Sequence, residues 1–163
     1  MALRALSADT AATRLALVHG DVSPKNILVG AAGPVLLDAE CAWYGDPAFD
    51  IAFCLTHLLL KCLWRPAFAR GYLACFDALA RAYFSAVTWE DAAALDARAA
   101  RLLPALLLAR ADGKSPAEYL DEEARTRVRR FAKPFVVAPP DTVDAIRHRW
   151  NEESAWIRAS SAS

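Results

Sequence analysis

The chain has 163 residues, of which 56% are hydrophobic and 23% charged, and its 19 basic and 19 acidic side chains cancel. This balance excludes an intrinsically disordered chain and argues against a nucleic-acid partner. The length favours one domain, which we place at residues 1–158, followed by a frayed tail at residues 159–163.

Nothing in the sequence suggests secretion or a membrane partner. The first twenty residues contain no long apolar core and no convincing cleavage site, so we expect a cytoplasmic protein. The most apolar run, IAFCLTHLLLKCLW, is too short and too polar to span a bilayer, and it predicts a buried helix. The four cysteines include no close pair and are expected to be reduced, buried thiols: Cys41, Cys54, Cys62 and Cys75.

The first part of the chain predicts a helix, a strand and a hairpin. Alanine and leucine recur at helical spacing over residues 1–13, and RLALVHGD then enters a Gly-Asp turn as a short apolar strand. The runs NILVG and PVLLDAE, separated by the hairpin-length connection GAAGP, predict a β-hairpin at residues 26–38.

From GDPAFD onward the apolar residues follow the helical period of 3.6. Asp46 is expected to cap the first of these helices. Thr88 with Asp91, and Ser115 with Glu118, resemble capping boxes at the starts of two others. The predicted helices cover residues 47–63, 67–86, 89–111, 116–136 and 141–158. The fold class is therefore α+β, mainly helical, with a small β-hairpin.

Four polar side chains in close order carry the chemistry that the sequence suggests: Asp21, Asn26, Asp38 and Glu40. A strand, a loop and a hairpin ending in DAE would bring Asp21 and Asp38 to the same edge of the structure. Carboxylate and amide oxygens suit Mg²⁺, which takes its remaining ligands from water and phosphate oxygens. Phosphoryl transfer requires such metal ligands together with a base placed against the attacking hydroxyl.

The segments HGDVSPKN, LLDAE and GDPAFDIA together resemble the aminoglycoside phosphotransferase and choline kinase group. These are small-molecule kinases with a protein-kinase-like fold. The resemblance implies that ATP is the co-substrate, that Mg²⁺ is the metal and that a small-molecule hydroxyl accepts the phosphate. It also implies that Asp21 is the catalytic base and that Asn26 and Asp38 bind the metal and the nucleotide.

The resemblance assigns supporting roles to further residues. Glu40 completes the D-x-E form of the family and is a candidate third metal ligand or a support of the acceptor site. His19 matches the opening of the H-G-D loop and is expected to anchor its backbone. Asp50 matches a buried carboxylate that braces the loop, and Lys25 is a candidate contact to phosphate in the cofactor site.

The resemblance covers the C-terminal catalytic lobe of the family and does not cover the N-terminal nucleotide lobe. Only eighteen residues precede His19, too few for that lobe's five-stranded sheet at ordinary strand lengths. We therefore expect a fragment with little activity alone, which needs the missing lobe or an oligomeric partner to cover an exposed apolar patch.

Acceptor specificity is expected around HLLLKCLWRP and LLLARADGKSPAEYL. Within these segments His57 is interpreted as a core histidine with its hydrogen bonds satisfied. Trp43, Tyr44 and Trp64 are interpreted as packing residues. Residues 90–123 carry eight acidic and four basic side chains, which are solvated helix faces or an acidic rim that selects cationic substrates.

Two other functional classes stay open. The first is a non-catalytic binding or interaction domain that keeps a kinase-like lobe. The second is a metal-dependent hydrolase using Asp21, Asp38 and Glu40, which the absence of a His-rich metal set and of an activated nucleophile motif disfavours. A eukaryotic-type protein kinase is also disfavoured, because DAE stands in the place of DFG.

Overall fold

The computed structural model describes residues 2–160, and its side chains as far as Glu153. The described chain forms four short strands, β1 (Ala16–Val18), β2 (Ile27–Gly30), β3 (Gly33–Leu36) and β4 (Trp43–Gly45). It also forms six helices, α1 (Ala2–Ala12), α2 (Ala48–Trp64), α3 (Ala69–Ala86), α4 (Ala92–Asp112), α5 (Glu122–Val137) and α6 (Val143–Ser160). Single 3₁₀ turns occupy Pro24–Asn26, Ala39–Cys41 and Pro66–Phe68.

These elements confirm a mainly helical fold with a small hairpin. The hairpin predicted at residues 26–38 is β2 and β3, and the helix predicted at residues 1–13 is α1. The helices predicted at 47–63, 67–86, 89–111 and 141–158 are α2, α3, α4 and α6, with ends shifted by at most three residues. Helix α6 continues through Ser160, and the rest of the tail predicted to fray, 161–163, lies outside the described residues.

Two helix starts were predicted wrongly. Helix α4 is capped by Asp91, whose carboxylate accepts the backbone N–H of Ala94 at 3.0 Å, and not by Thr88. Helix α5 begins at Glu122 and is capped by Asp121, so the predicted start at residue 116 and its Ser115 cap are wrong. In both cases a later aspartate supplies the acceptor for the free N–H groups of the first turn.

The guanidinium of Arg125 holds the linker between α4 and α5 outside the helical conformation. It donates to the carbonyl of Leu120 at 3.1 Å, to that of Ala117 at 3.3 Å, and to that of Ala111. One side chain thus satisfies two carbonyls of the linker and one at the end of α4, so these acceptors do not need helical hydrogen bonds. This linker forms one wall of the pocket described below.

The strands form two separate antiparallel pairs. In one pair Ile27 lies opposite Leu36 and Gly30 opposite Gly33, which is the predicted hairpin. In the other, β1 pairs with β4, a strand that the sequence did not predict, and Val18 lies opposite Trp43. The second pair fixes the end of β1, from which the candidate catalytic loop starts.

Helix α2 is the centre of the core. It packs against α3 and α4, while α4 packs in turn against α5. Eleven of the seventeen α2 residues are buried, which confirms the buried helix predicted from the apolar run. A helix that is apolar on nearly every face is stable only when other helices cover it. Within the described residues no helix is long and apolar enough to cross a membrane.

A buried ion pair links the start of α2 to α4. Asp46 is 2% exposed, and both its carboxylate oxygens lie 3.2 Å from Nε of Arg98. The same carboxylate accepts the backbone N–H of Ala48, the first residue of α2, at 3.0 Å, although Pro47 and not Asp46 occupies the N-cap position. Arg98 also donates to Glu90 at 2.7 Å, so its charge is neutralised on two sides.

None of the four cysteines forms a disulfide within the described chain, and only Cys54 and Cys62 are buried. The prediction of buried thiols is wrong for Cys41 and Cys75, which are exposed. Burial raises the pKa of the Cys54 thiol to about 11, so this residue stays protonated and unreactive at neutral pH.

Candidate active site

The candidate catalytic loop begins where β1 ends, and Asp50 braces its first turn. The Asp50 carboxylate accepts the backbone N–H of His19 at 2.7 Å and that of Gly20 at 2.9 Å. Asp50 lies in the first turn of α2, where a negative charge is also favoured by the helix dipole. The loop is therefore anchored to the most buried helix of the fold.

Gly20 makes the turn that leads from this anchor to Asp21. Its φ of 85° lies in the left-handed region, which side chains other than glycine rarely adopt. An added Cβ would also lie 2.6 Å from the carbonyl oxygen of Cys41 and 2.7 Å from the Trp43 ring. Gly20 is thus required both for its backbone conformation and for the space it leaves.

The variant Gly20→Ala is expected to lower the free energy of unfolding by about 2–4 kcal/mol, because strain and steric overlap add. Gly71→Ala is the matched control: Gly71 lies within α3, and an added Cβ meets nothing within 4 Å. It should raise the free energy of unfolding by about 0.5–1 kcal/mol, because alanine restricts the unfolded chain. Urea unfolding measures both values, and equal effects would contradict the role of Gly20.

Asp21 and Asn26 contact each other directly at the two ends of the loop. The Asn26 Nδ2 group donates to Asp21 Oδ2 at 2.8 Å and to the Asp21 backbone carbonyl at 2.9 Å. Since the carboxamide uses its nitrogen for these bonds, its Oδ1 atom remains as an acceptor or metal ligand. Asn26 is buried, so the carboxylate is held by a fixed partner.

Lys25 and His19 also contact Asp21. Lys25 Nζ lies 3.2 Å from Asp21 Oδ2 on an exposed side chain. The backbone N–H of Asp21 donates to Nδ1 of His19 at 3.3 Å, so the histidine ring holds the loop from inside. His19 Nε2 is buried and has no partner among the described residues.

Asp38 is placed beside Asn26 by the backbone. Leu37, the preceding residue, donates its N–H to the Asn26 carbonyl at 2.8 Å. Asp38 then adopts φ 66° and ψ 51°, the only positive φ of a non-glycine residue in the described chain. Such conformations persist where surrounding structure imposes them, and they cluster at functional sites.

The candidate metal ligands supply oxygen atoms only. Glu40 follows Asp38 in the 3₁₀ turn Ala39–Cys41, and both carboxylates are exposed. Within the described part of the chain, no group of three His, Cys, Asp or Glu side chains is close enough to hold a metal. The set Asn26, Asp38 and Glu40 contains two carboxylates and an amide, a donor chemistry that suits Mg²⁺ with water and phosphate as further ligands.

A polar pocket of about 390 Å³ opens beside the loop. It brings together the two segments in which acceptor specificity was expected, one in α2 and one at the α4–α5 linker. Its polar and aromatic lining is Ser23, Lys25, His57, Lys61, Trp64, Arg110, Ser115, Glu118 and Tyr119. The sequence named the segments, but it could not identify the individual side chains, because the wall forms only when the linker folds against α2.

His57 lies at the base of this pocket and is not the satisfied core histidine that was predicted. It is 6% exposed, and its ring packs on Phe53 with centroids 4.9 Å apart. Nδ1 lies 3.5 Å from the hydroxyl of Tyr119, whereas the buried Nε2 has no partner within the described residues. Burial, followed by the charge of Arg110, lowers the pKa of His57 to about 4.

His57 should make stability depend on pH. The unfolded chain protonates this imidazole near pH 6.5, so between pH 6.5 and about 4 it binds more protons than the folded chain. The free energy of unfolding should be highest above pH 6.5 and fall on acidification, by up to about 3 kcal/mol from this residue. The charges that face it are Arg110, Asp21, Lys61 and Lys25.

Urea unfolding of the wild type and His57→Gln at about pH 7 and about pH 4.5 isolates this contribution, because the carboxylates are common to both. The variant should lose less stability on acidification than the wild type. Equal losses would contradict the lowered pKa of His57.

The three aromatic residues predicted to be packing residues differ in their surroundings. The Trp43 ring packs on Phe49 at 5.1 Å, as predicted. Tyr44 is exposed and donates its hydroxyl to the Leu15 carbonyl at 3.3 Å, and Trp64 lines the polar pocket. All three side chains are exposed and lie outside the core, although Trp43 packs on Phe49 and Trp64 on Tyr119.

A larger apolar groove, about 790 Å³, lies between α1, α4 and α5, but no residue of the catalytic loop lines it.

Comparison with curated proteins gives no match. The family model of the phosphotransferase enzyme family, APH, matches residues 2–84, which include the loop, the hairpin, α2 and most of α3. This match covers about half of the chain and contains every candidate catalytic residue, and the chain therefore belongs to the phosphotransferase enzyme family.

Proposed function

We propose that the chain is the catalytic, C-terminal lobe of an ATP-dependent phosphotransferase that moves the γ-phosphate to a hydroxyl group of a small molecule. The observation that carries this proposal is the local framework of the loop. Asn26 holds the Asp21 carboxylate through its side chain and holds the residue before Asp38 through its backbone. The proposed base and two candidate metal ligands are thus connected through Asn26, and phosphoryl transfer requires groups of these types close together.

In the proposed reaction Asp21 orients the acceptor hydroxyl and takes its proton. The hydroxyl oxygen forms a bond to the γ-phosphorus of ATP, while the bond from that phosphorus to the β–γ bridging oxygen breaks. The electron pair of the broken bond leaves with ADP. The bond from Asn26 Nδ2 to Oδ2 keeps the Asp21 carboxylate in one orientation. Less conformational entropy is therefore lost when the reacting groups are aligned in the transition state.

The Oδ1 atom of Asn26 and the carboxylates of Asp38 and Glu40 are the proposed metal ligands. Bound Mg²⁺ would neutralise negative charge on the transferring phosphate. Lys25 ends in an exposed ammonium 3.2 Å from Asp21, and we assign it a contact to a phosphate oxygen.

The proposed position of the lobe within a complete enzyme is supported by exposed apolar side chains on the two small sheets. Soluble proteins seldom expose so many large apolar side chains on short strands unless another element covers them. These side chains are Leu17, Leu28, Val29, Val35, Leu36 and Tyr44. We propose that the nucleotide-binding lobe of the enzyme covers them.

A calorimetric titration of the chain with Mg²⁺-ATP tests the metal assignment. Asp38→Asn should raise the dissociation constant by about tenfold or more, because one anionic ligand is lost. Asp141→Asn, which changes an exposed carboxylate in the turn before α6, should leave it unchanged. Equal affinities for the wild type and Asp38→Asn would overturn the assignment. Binding without phosphoryl transfer would favour the alternative of a non-catalytic domain.

A further inference from the structure

The polar pocket beside the loop carries an excess of positive charge. Three cations line it, Lys25, Lys61 and Arg110, against the single carboxylate of Glu118, which is exposed. Lys25 is paired with Asp21 at 3.2 Å. Among the described side chains no carboxylate forms an ion pair with Lys61 or Arg110, so both retain their charge toward the pocket.

Lys61 is held in place by aromatic rings. Its Nζ lies 5.0 Å from the Trp64 ring centroid and 5.6 Å from that of Tyr119. A cation–π contact positions an ammonium group without neutralising it or using its hydrogen atoms. The lysine therefore offers both charge and N–H donors to a ligand.

Three buried polar atoms of the pocket lining have no partner among the described residues: Arg110 Nε, Ser23 Oγ and His57 Nε2. Arg110 Nε can only donate, Ser23 Oγ can donate, and His57 Nε2 donates in the tautomer that carries its hydrogen there. The Tyr119 hydroxyl lies 3.5 Å from Nδ1 of His57, and we assign the hydroxyl as the donor in this contact. The neutral imidazole then carries its hydrogen on Nε2.

Buried donors without acceptors are costly unless a ligand supplies the acceptors. A carboxylate or a phosphate does so with two or three charged oxygen atoms, and charge-assisted bonds of this kind are the strong ones. A cationic ligand would leave these donors unsatisfied and would meet the charges of Lys61 and Arg110.

The acidic side chains of residues 90–123 do not form a cationic-substrate rim around this pocket. Glu90 pairs with Arg98, Asp91 caps α4 and Asp112 pairs with Arg129. Of the acidic residues in this range only Glu118 lines the pocket.

We propose that the acceptor is an anionic hydroxyl compound whose carboxylate or phosphate is bound by Lys61, Arg110 and the Nε2–H of His57. This inference rests on the proposed function. Lys25 lines the pocket and contacts Asp21, so the pocket adjoins the proposed catalytic carboxylate, and we place the acceptor hydroxyl toward it. That hydroxyl then forms the new bond to phosphorus and gives its proton to Asp21, with ADP as the leaving group.

Binding to the full chain, measured by calorimetry or NMR titration, tests the proposal with four probes of similar size: glycerate, glycerol 3-phosphate, glycerol and ethanolamine. One or both anions should bind at least about tenfold more tightly than glycerol and ethanolamine. The stronger of the two anions identifies the carboxylate or the phosphate as the group recognised. Equal binding of all four probes, or tighter binding of ethanolamine, would overturn the proposal.

Lys61→Gln should weaken binding of the preferred anion by about tenfold or more. Arg65→Gln is the matched control, because Arg65 also lies over the Trp64 ring, at 4.5 Å, but does not line the pocket. Glu118→Gln removes the only carboxylate of the lining from an exposed position and should tighten anion binding by about two- to threefold. Equal effects of Lys61→Gln and Arg65→Gln, or no gain for Glu118→Gln, would contradict the proposal.

A parallel titration with Mg²⁺-ATP distinguishes failure of the anionic acceptor from failure of the proposed metal and nucleotide site. Nucleotide affinity that depends on Asp38, together with no preference for anions, would overturn the anionic acceptor and leave the phosphotransferase assignment intact. Anion binding that depends on Lys61, together with nucleotide affinity that does not depend on Asp38, would overturn the proposed metal site and leave the anion site in place.

Discussion

Replacing Asp21 by asparagine is expected to lower kcat for phosphoryl transfer by about 10²- to 10⁴-fold, with KM for Mg²⁺-ATP changed by less than about threefold. Asparagine keeps the size of the side chain, and its oxygen can still accept the bond that Asn26 donates at 2.8 Å. It cannot accept a proton from the acceptor hydroxyl. The loss should therefore appear in the chemical step and not in nucleotide binding.

The assay for Asp21→Asn follows ADP formation from Mg²⁺-ATP and an alcohol acceptor, with the chain joined to the nucleotide-binding lobe of another family member. Asp9→Asn serves as the control, because Asp9 is an exposed carboxylate that pairs only with Arg101, at 3.3 Å. Its kcat should equal that of the wild type. Turnover by Asp21→Asn at the wild-type rate would rule out Asp21 as the base.

The parts of the fold that the sequence predicted are those formed by neighbouring residues. The hairpin follows from two apolar runs and the connection between them, and β2 and β3 pair within residues 27–36. Helix α2 follows from a long apolar run, and the bond from the Ala48 N–H to the Asp46 carboxylate at its start is also local. The direct contact between Asp21 and Asn26 spans five residues, which one loop can hold.

The parts that were missed depend on residues far apart in the chain. Strand β4 has three residues and no pattern of its own, and it exists because it pairs with β1. The false start of α5 came from a sequence that fits a capping box, but Arg125 satisfies the linker carbonyls from within the next helix. The cationic pocket needs this linker to lie against α2, so its members could not be chosen by spacing.

The backbone conformation of Asp38 could not be predicted from the sequence either. Nothing local requires φ 66° at an aspartate, although aspartate tolerates this region better than most residues. The bond from Leu37 to the Asn26 carbonyl and the 3₁₀ turn that follows determine the path of the chain at this point. Sequence motifs identified Asp38 as a candidate ligand, and tertiary structure determines its orientation.

Replacing Asp50 by alanine is expected to lower the free energy of unfolding by about 2–4 kcal/mol and to reduce phosphoryl transfer strongly. The carboxylate accepts two backbone N–H groups, at 2.7 and 2.9 Å, and both lie directly before Asp21. Without an acceptor these groups must find water, which pulls the loop away from α2. The effect on activity arises through loop position, because Asp50 contacts the backbone of the loop and not the proposed base.

Hydrogen exchange on three variants distinguishes this bracing role from a general loss of stability. Hydrogen exchange at the amides of His19 and Gly20 should become much faster in Asp50→Ala, while amides in the middle of α4 keep their protection relative to the global stability. In Asp50→Asn the exchange rates of these two amides should lie between those of the wild type and of Asp50→Ala. The asparagine carbonyl replaces one acceptor, whereas its NH₂ group opposes the second donor. Asp144→Ala is the control, since Asp144 also lies in a first helical turn but pairs only with the exposed His148 at 3.2 Å. If the two loop amides exchange at the wild-type rate in Asp50→Ala, the loop does not depend on this carboxylate for its position.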